Sequence, residues 1–318
     1  MEKSFRWGII GPGRISHKFA QSLPFSQNGR LVSVASSSKT RAEEFADSYD
    51  AEFAFGSYQE MLKSNTIDAV YVATPHPFHF SCSEMAIQLG IPVLCEKPLT
   101  NSEAEAIKLV DLAREKGIFL MEGMWSVFLP HILKAFLWIE EGKIGELVHV
   151  QADFGYKAKF EPEGRLFNPA LGGSVAKDVG IYPLAFFYKV LGKLQNFQVQ
   201  GHNAETGVDQ HVLFQGKGET RGTFQGMVSF LTNTQVEATI FGSKGKIKIE
   251  SQWLRPTSAT LITNTETTHF KPEVGSFGFQ FEADEVENCV KSGLTESPKW
   301  SLNDALAMAH YISFLADI

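Results

Sequence analysis

The sequence predicts an α/β protein of two domains. Residues 1–124 should form a doubly wound parallel sheet, and 125–318 an α+β domain with a mainly antiparallel open sheet. Three observations predict this. The first 120 or so residues alternate short apolar runs with stretches whose apolar residues recur at helical spacing. A glycine-rich turn joins the first such run to the first such stretch. Beyond about residue 125, apolar residues alternate with polar ones at a period of two, as in strands with one buried face.

Taken in order, Phe5–Ile10 reads as a first strand. Glycines follow it, then Ile15, Phe19 and Leu23 at i, i+4 and i+8, a helical stripe. Leu31–Ser36 is a second strand. Thr40 with Glu43, Ser57 with Glu60, and Ser102 with Glu105 each fit the S/T-x-x-E capping box and are expected to start helices. Ala69–Ala73 and Val93–Cys95 are short and almost wholly apolar, as strands buried on both faces of a parallel sheet should be. Gly90 and Gly117 stand where helix C-caps fall. In the second half, Val148, Val150, Ala152 and Phe154 alternate with polar residues. Short alternating segments then run through 195–262, with a Gly-Ser-Lys-Gly turn at 242–245 between Gln235–Phe241 and Lys246–Glu250. Helices are expected over 174–191, 279–292 and 301–317, the second with Phe279, Ala283, Val286 and Val290 along one face.

Composition narrows the function. The net charge, 29 − 36 = −7, argues against nucleic acid as the main partner, because a phosphate backbone needs a basic face. No apolar run reaches the roughly 18–20 residues that cross a bilayer, and the N-terminus has no signal-peptide core. Cys82, Cys95 and Cys289 have neither metal-ligand nor C-x-x-C spacing, so no metal site is expected. A reduced, intracellular and cytoplasmic protein is the simplest reading. The 26 Phe residues are more than usual, so some should line a pocket rather than fill a core.

Four segments carry chemistry. Gly8-Ile9-Ile10-Gly11-Pro12-Gly13-Arg14-Ile15-Ser16 follows a strand and opens a helix, with Ser16 where a third glycine often stands. Gly11 permits the tight turn, and Gly13 lets the backbone approach a pyrophosphate at the positive helix end, where Arg14 and Ile15 begin the helix. Such a turn binds a dinucleotide; the alternative is a purely structural glycine turn. The second strand runs out into Ser36-Ser37-Ser38-Lys39-Thr40-Arg41 with no acid before Glu43. NAD-selective domains place an acid there to receive the ribose 2′-hydroxyl, so NADP is expected over NAD. Otherwise this is a polar loop with Thr40 as N-cap and both basic side chains in water. Cys95-Glu96-Lys97-Pro98 ends an apolar strand at the sheet edge where ligands bind, and Lys97 could donate to a carbonyl being reduced; alternatively it is a solvated loop lysine. Thr74-Pro75-His76-Pro77-Phe78-His79 ends another strand, and its imidazoles could face cofactor or substrate, although His79 also suits a helix start or a packing position. In Gly172-Gly173-Ser174-Val175-Ala176-Lys177-Asp178-Val179-Gly180-Ile181-Tyr182-Pro183, Asp178 and Tyr182 are four apart and share a helix face. A carboxylate there can orient a phenol or lysine and tune its proton affinity; the alternative is a buried, hydrogen-bonded Tyr.

These four signals, in this order, resemble the Gfo/Idh/MocA family of oxidoreductases. The resemblance runs from the glycine turn to Phe281-Glu282-Ala283-Asp284-Glu285-Val286, with Glu96-Lys97-Pro98 its most specific mark. Met121-Glu122-Gly123-Met124-Trp125 and Gly180-Ile181-Tyr182-Pro183 look most like the branch of dihydrodiol and sugar dehydrogenases. The resemblance implies a Rossmann domain and hydride transfer between NADP or NAD and a secondary alcohol or carbonyl of a sugar, cyclic polyol or trans-dihydrodiol. Lys97 would polarise the reacting oxygen and share in proton transfer, Asp178 would sit beside the substrate, and Tyr182 would be the general acid or base. Gly11 and Gly13 would cradle the pyrophosphate, and Thr74, Pro75, Glu96, His76 and His79 would lie along the cofactor. Trp125, Phe154, Tyr156 and Arg165 are candidate substrate contacts. A homodimer through the open sheet is implied as well. Ser126, Val127 and Lys177 depart from the branch pattern and leave the substrate open. The alternative function is a non-catalytic dinucleotide sensor on the same fold.

Overall fold

The computed structural model describes residues 4–219 and 222–316. The chain divides into two compact units. The first runs to Trp125 and takes in Gly275–Ala309; the second is Ser126–Val274 with the residues from His310 on.

The first unit holds β1 (Phe5–Ile10), α1 (Arg14–Ser22), β2 (Gly29–Ala35), α2 (Lys39–Ser48), β3 (Phe53–Phe55), α3 (Tyr58–Lys63), β4 (Ala69–Val72), α4 (His79–Gln88), β5 (Val93–Glu96), α5 (Glu103–Lys116) and β6 (Leu120–Gly123). All six strands are parallel, in the order β3-β2-β1-β4-β5-β6. The order reverses between β1 and β4, so the carboxyl ends of these two strands flank the switch point at which such sheets bind ligands. β4 and β5 are buried at every position, as strands covered on both faces must be.

Helix starts follow local chemistry. Ser57 and Ser102 cap α3 and α5 by accepting from the Glu60 and Glu105 amides at 3.4 and 3.3 Å. At α2 the expected cap moves: Ser38, not Thr40, is extended and accepts from Arg41 N at 3.4 Å, two residues ahead of the capping box. Gly117 closes α5 in the left-handed conformation.

The second unit holds α6 (Pro130–Glu140), β7 (Leu147–Gly155), α7 (Ile181–Leu191), β8 (Gln195–Asn203), β9 (Asp209–Lys217), β10 (Thr223–Ser229), β11 (Ala238–Gly242), β12 (Gly245–Ile249), β13 (Ala259–Thr263) and β14 (Thr267–Phe270). They form one sheet in the order β14-β13-β12-β11-β7-β10-β9-β8, antiparallel except for the β7–β10 pair. Val150, Val212, Phe214, Phe224, Val228 and Ile240 point to the buried face, where α6 and α7 pack. The other face is polar: Gln151, Gln225, Gln215 and Gln198 stand in register across β7, β10, β9 and β8. Gln215 donates to Gln198 at 2.7 Å. Leu213 is a half-exposed apolar residue on this face.

α8 (Gln280–Lys291) and α9 (Leu302–Ala316) follow. The segment 275–309, expected in the second domain, belongs instead to the first unit. Long-range bonds explain why. Trp7 Nε1 donates to Glu287 at 3.0 Å, Trp300 Nε1 donates to Glu122 at 3.2 Å, and Phe279 stacks on Trp125 at 4.7 Å. Residue 317 of the last expected helix lies outside the described residues.

Candidate active site

In the first unit the glycine turn sits at the end of β1. Gly11 has φ +88°, and a Cβ there would lie 3.0 Å from the Thr74 amide nitrogen, so both conformation and space demand glycine. Ser16 is fully buried, where a third glycine often stands, and its hydroxyl donates to Gly11 O at 2.7 Å, tying the turn to α1. A Cβ on Gly13 would meet nothing within 4 Å. The turn therefore leaves open space at the amino end of α1, with Arg14 exposed beside it, which fits a pyrophosphate.

At the end of β2, Ser36 is buried and accepts from Ser38 N at 3.2 Å, while Ser37 and Arg41 are exposed. Lys39 is engaged elsewhere: its ammonium donates to Ala54 O and lies 3.7 Å from Glu43. Thr40 is exposed there as well.

The carboxyl ends of β4 and β5 form a buried polar cluster. Glu96 accepts from the Tyr71 hydroxyl and, at 3.2 Å, from Lys97 N. Lys97 is buried and precedes a cis peptide to Pro98. Glu122, on β6, accepts from Leu99 N at 2.7 Å and from Trp300, and so holds the backbone just beyond Lys97. Burial pushes the Glu122 carboxyl up to about 7 against those donors, and Lys97 acts on it in the opposite sense. Glu282 of α8 is fully buried beside Gly123, and neither of its carboxyl oxygens has a hydrogen-bond partner among the described residues. Burial, then the charge of Glu96, raises it well above the ordinary carboxylate range.

His79 takes the packing role that its sequence position also allowed. Its ring nitrogens lie 2.8 Å from the carbonyls of Pro98 and Thr74, and burial lowers its proton affinity. Both ring nitrogens thus face backbone carbonyls. His76, buried with Thr74 and Pro75 close by in sequence, sits edge-on to His79 with centroids 5.6 Å apart.

The second unit assembles Asp178, Tyr182, Phe154, Tyr156 and Arg165. A π-turn at Ala176–Gly180 leads into α7 and carries Asp178, with Tyr182 one turn on. Such turns occur often at functional sites. Tyr156 donates to Asp178 Oδ2 at 3.2 Å, and Arg165 Nη1 to Oδ1 at 2.9 Å. Phe154 packs against Tyr156 and Tyr182, and Phe230 lies 5.5 Å from Tyr156. A carboxylate, a phenol and a guanidinium thus meet among aromatic rings. Ile15 in the first unit is half-buried on α1 and joins no polar cluster.

Sequence reasoning gave no site role to Tyr71 or Phe230, quoted Glu122 and Glu282 only as parts of motifs, and placed Phe279 only on an apolar helix face. Tyr71, Glu122, Phe230 and Phe279 bear on these clusters through partners distant in sequence.

A parallel sheet in this order, with a glycine turn at its switch point, defines a dinucleotide-binding domain of the oxidoreductase type. The chain belongs to the Gfo/Idh/MocA oxidoreductase family: residues 5–124 match its NAD-binding Rossmann model and 132–248 a C-terminal domain model of the same family. It is 35% identical to the trans-1,2-dihydrobenzene-1,2-diol dehydrogenase of Mus musculus, over 97% of this chain and 95% of that one. The human enzyme of the same name is 34% identical over 96% and 94%. Among solved structures, the aldose-aldose oxidoreductase of Caulobacter crescentus, complexed with glycerol, superposes with a TM-score of 0.89 at 20% identity, over 98% of this chain and 96% of that one. No helix among the described residues is long and apolar enough to cross a membrane.

Proposed function

We propose that the protein is an NADP-preferring dehydrogenase that interconverts a secondary alcohol and a carbonyl on a small ring: a trans-dihydrodiol, a sugar or a cyclic polyol. The observation that carries this reading is the Asp178–Tyr156–Arg165 cluster set among Phe154, Tyr182 and Phe230. Such a cluster offers an acceptor and donors to vicinal hydroxyls, and aromatic faces to a ring. The mouse and human relatives carry the name of a diol dehydrogenase, which favours an enzyme over a non-catalytic sensor.

Gly11, Gly13 and Arg14 would hold the pyrophosphate, Ser37 and Arg41 the 2′-phosphate, and Thr74, Pro75, His76 and Glu96 would flank the nicotinamide half of a cofactor that would supply the hydride chemistry. Lys97 polarises the reacting oxygen. Tyr182 takes its proton in oxidation and gives it back in reduction, and Asp178 orients the substrate hydroxyls. Trp125, Phe154, Tyr156 and Arg165 contact the substrate. A second copy of the chain covers the polar face of the sheet, and the three buried free cysteines suit the reducing cytoplasm.

The test is Lys97→Met, assayed with trans-1,2-dihydrobenzene-1,2-diol and pooled aldoses by the absorbance of reduced nicotinamide. NADPH binding should persist while turnover falls on the order of 100-fold or more. Parent-like turnover in both Lys97→Met and Tyr182→Phe would overturn the assignment.

A further inference from the structure

The first turn of the segment that carries Asp178 and Tyr182 has an unusual anchor. A helix leaves its first amides without partners inside the helix, and the residues just ahead of it must supply acceptors. Here the acceptors form two tiers. Ser174 accepts from Lys177 N at 3.1 Å with its hydroxyl and from Asp178 N at 3.0 Å with its carbonyl. That hydroxyl in turn donates to Asp209 Oδ2 at 3.0 Å, and the same oxygen accepts from Ala176 N at 2.7 Å. Asp209 opens β9, is almost wholly buried, and lies 31 residues beyond Asp178. Its neighbour Gln210 accepts from Phe230 N at 2.8 Å, and the Phe230 ring packs on Tyr156, the phenol that donates to Asp178. The amino end of β9 therefore reaches Asp178 along two routes.

We propose that Asp209 is a positioning residue: its carboxylate fixes the π-turn at Ala176–Gly180, and through it the placement of Asp178 and Tyr182. The inference rests on the catalytic reading of those two residues given above. Charge matters to the anchor, because an ionised carboxylate binds two donors on one oxygen more strongly than a neutral acid does. Burial raises the Asp209 carboxyl to about 6 against the donors from Ala176 and Ser174, and Lys177 is the charged neighbour that opposes the rise. The anchor is thus ionised at neutral pH and weakens in mild acid.

The test uses the full chain with Asp209→Ala and Asp209→Asn, trans-1,2-dihydrobenzene-1,2-diol and NADP, with rates expressed per folded molecule. Asp209→Ala should lower kcat about tenfold with KM and NADPH affinity within about threefold of the parent, the pattern of a misplaced catalytic group. Asp209→Asn keeps an acceptor for Ala176 N and should recover most of kcat. The parent's kcat is expected to fall between about pH 8 and about pH 5, and Asp209→Asn should lose that fall. Hydrogen exchange is measured in parallel: the amides of Ala176–Asp178 should exchange about tenfold faster in Asp209→Ala, with those of β1–β6 unchanged. Unchanged exchange there, or faster exchange with parent-like kcat, overturns the proposal. Equal turnover by the parent and Tyr182→Phe would instead overturn the catalytic reading, and the exchange arm would still decide whether Asp209 anchors the turn.

Discussion

Glu122 makes the first unit sensitive to pH, and the size of the effect can be worked out. The carboxyl is fully buried, held by Leu99 N and Trp300 Nε1, and titrates at about 7 against an ordinary 4.5. A raised acid binds its proton more tightly in the fold than in the unfolded chain, so its contribution is fully present below pH 4.5 and is lost as pH rises through 7. Between about pH 5 and about pH 8.5 this difference should lower folding stability by about 2–3 kcal/mol. Glu122→Gln cannot titrate. Denaturant unfolding of both proteins at the two pH values, followed by tryptophan fluorescence, isolates the term as a change in their stability difference. Glu122→Gln should gain on the parent by about 2–3 kcal/mol on going to the higher pH. A stability difference that does not move with pH would refute the reasoning, and with it the view that the acid behind the Lys97–Leu99 backbone is neutral in mild acid.

Three further outcomes are expected. Ser37→Asp places a carboxylate where Ser37 and Arg41 are proposed to hold a 2′-phosphate, so the kcat/KM ratio of NADP to NAD should fall by about tenfold or more; a ratio that stays put would move the selectivity elsewhere. Gly11→Ala forces a Cβ to 3.0 Å from Thr74 N at φ +88°, and should cost about 1–3 kcal/mol in denaturant unfolding and weaken NADPH binding. Light scattering at micromolar concentration should give the mass of a dimer, and Leu213→Lys, on the polar sheet face, should reduce it to that of a monomer; a monomeric parent refutes the pairing.

What could be read from the sequence was what local patterns encode. The β1–α1 turn, the all-buried β4 and β5, and the Ser57 and Ser102 caps each depend on neighbours a few residues away, and each stands where the pattern placed it. Asp178 and Tyr182 could be singled out for the same reason, being four residues apart, although the helix expected over 174–191 opens on a π-turn at Ala176–Gly180. Thr40 misled because two overlapping polar runs offered a cap, and the backbone is extended at Ser38. The domain assignment of 275–309 failed because α8 is amphipathic whichever unit it packs on. Its location follows from Trp7–Glu287 and Trp125–Phe279, pairs more than 150 residues apart that leave no periodic trace. The outer sheet face was equally hidden. Alternation revealed that one face of each strand is exposed, but not that Gln151, Gln225, Gln215 and Gln198 fall into one row, because register is set between strands.

The same distinction separates the groups proposed to act from those that support them. Lys97, Asp178 and Tyr182 lie in short motifs; Glu122, Glu282 and Asp209, drawn from other parts of the chain, share one physical property. Each is a buried acid whose proton affinity is raised by burial. A core selected for stability alone would replace them, since a buried carboxyl without full hydrogen bonding is destabilising. Glu282, with neither oxygen bonded among the described residues, is the most costly by this criterion, and it lies beside Gly123 and the charge of Glu96, the residue next to Lys97. Natural folds tolerate such violations chiefly where function requires them. Two raised acids thus lie near Lys97 and one under Asp178, while another, Glu287, lies beside Trp7.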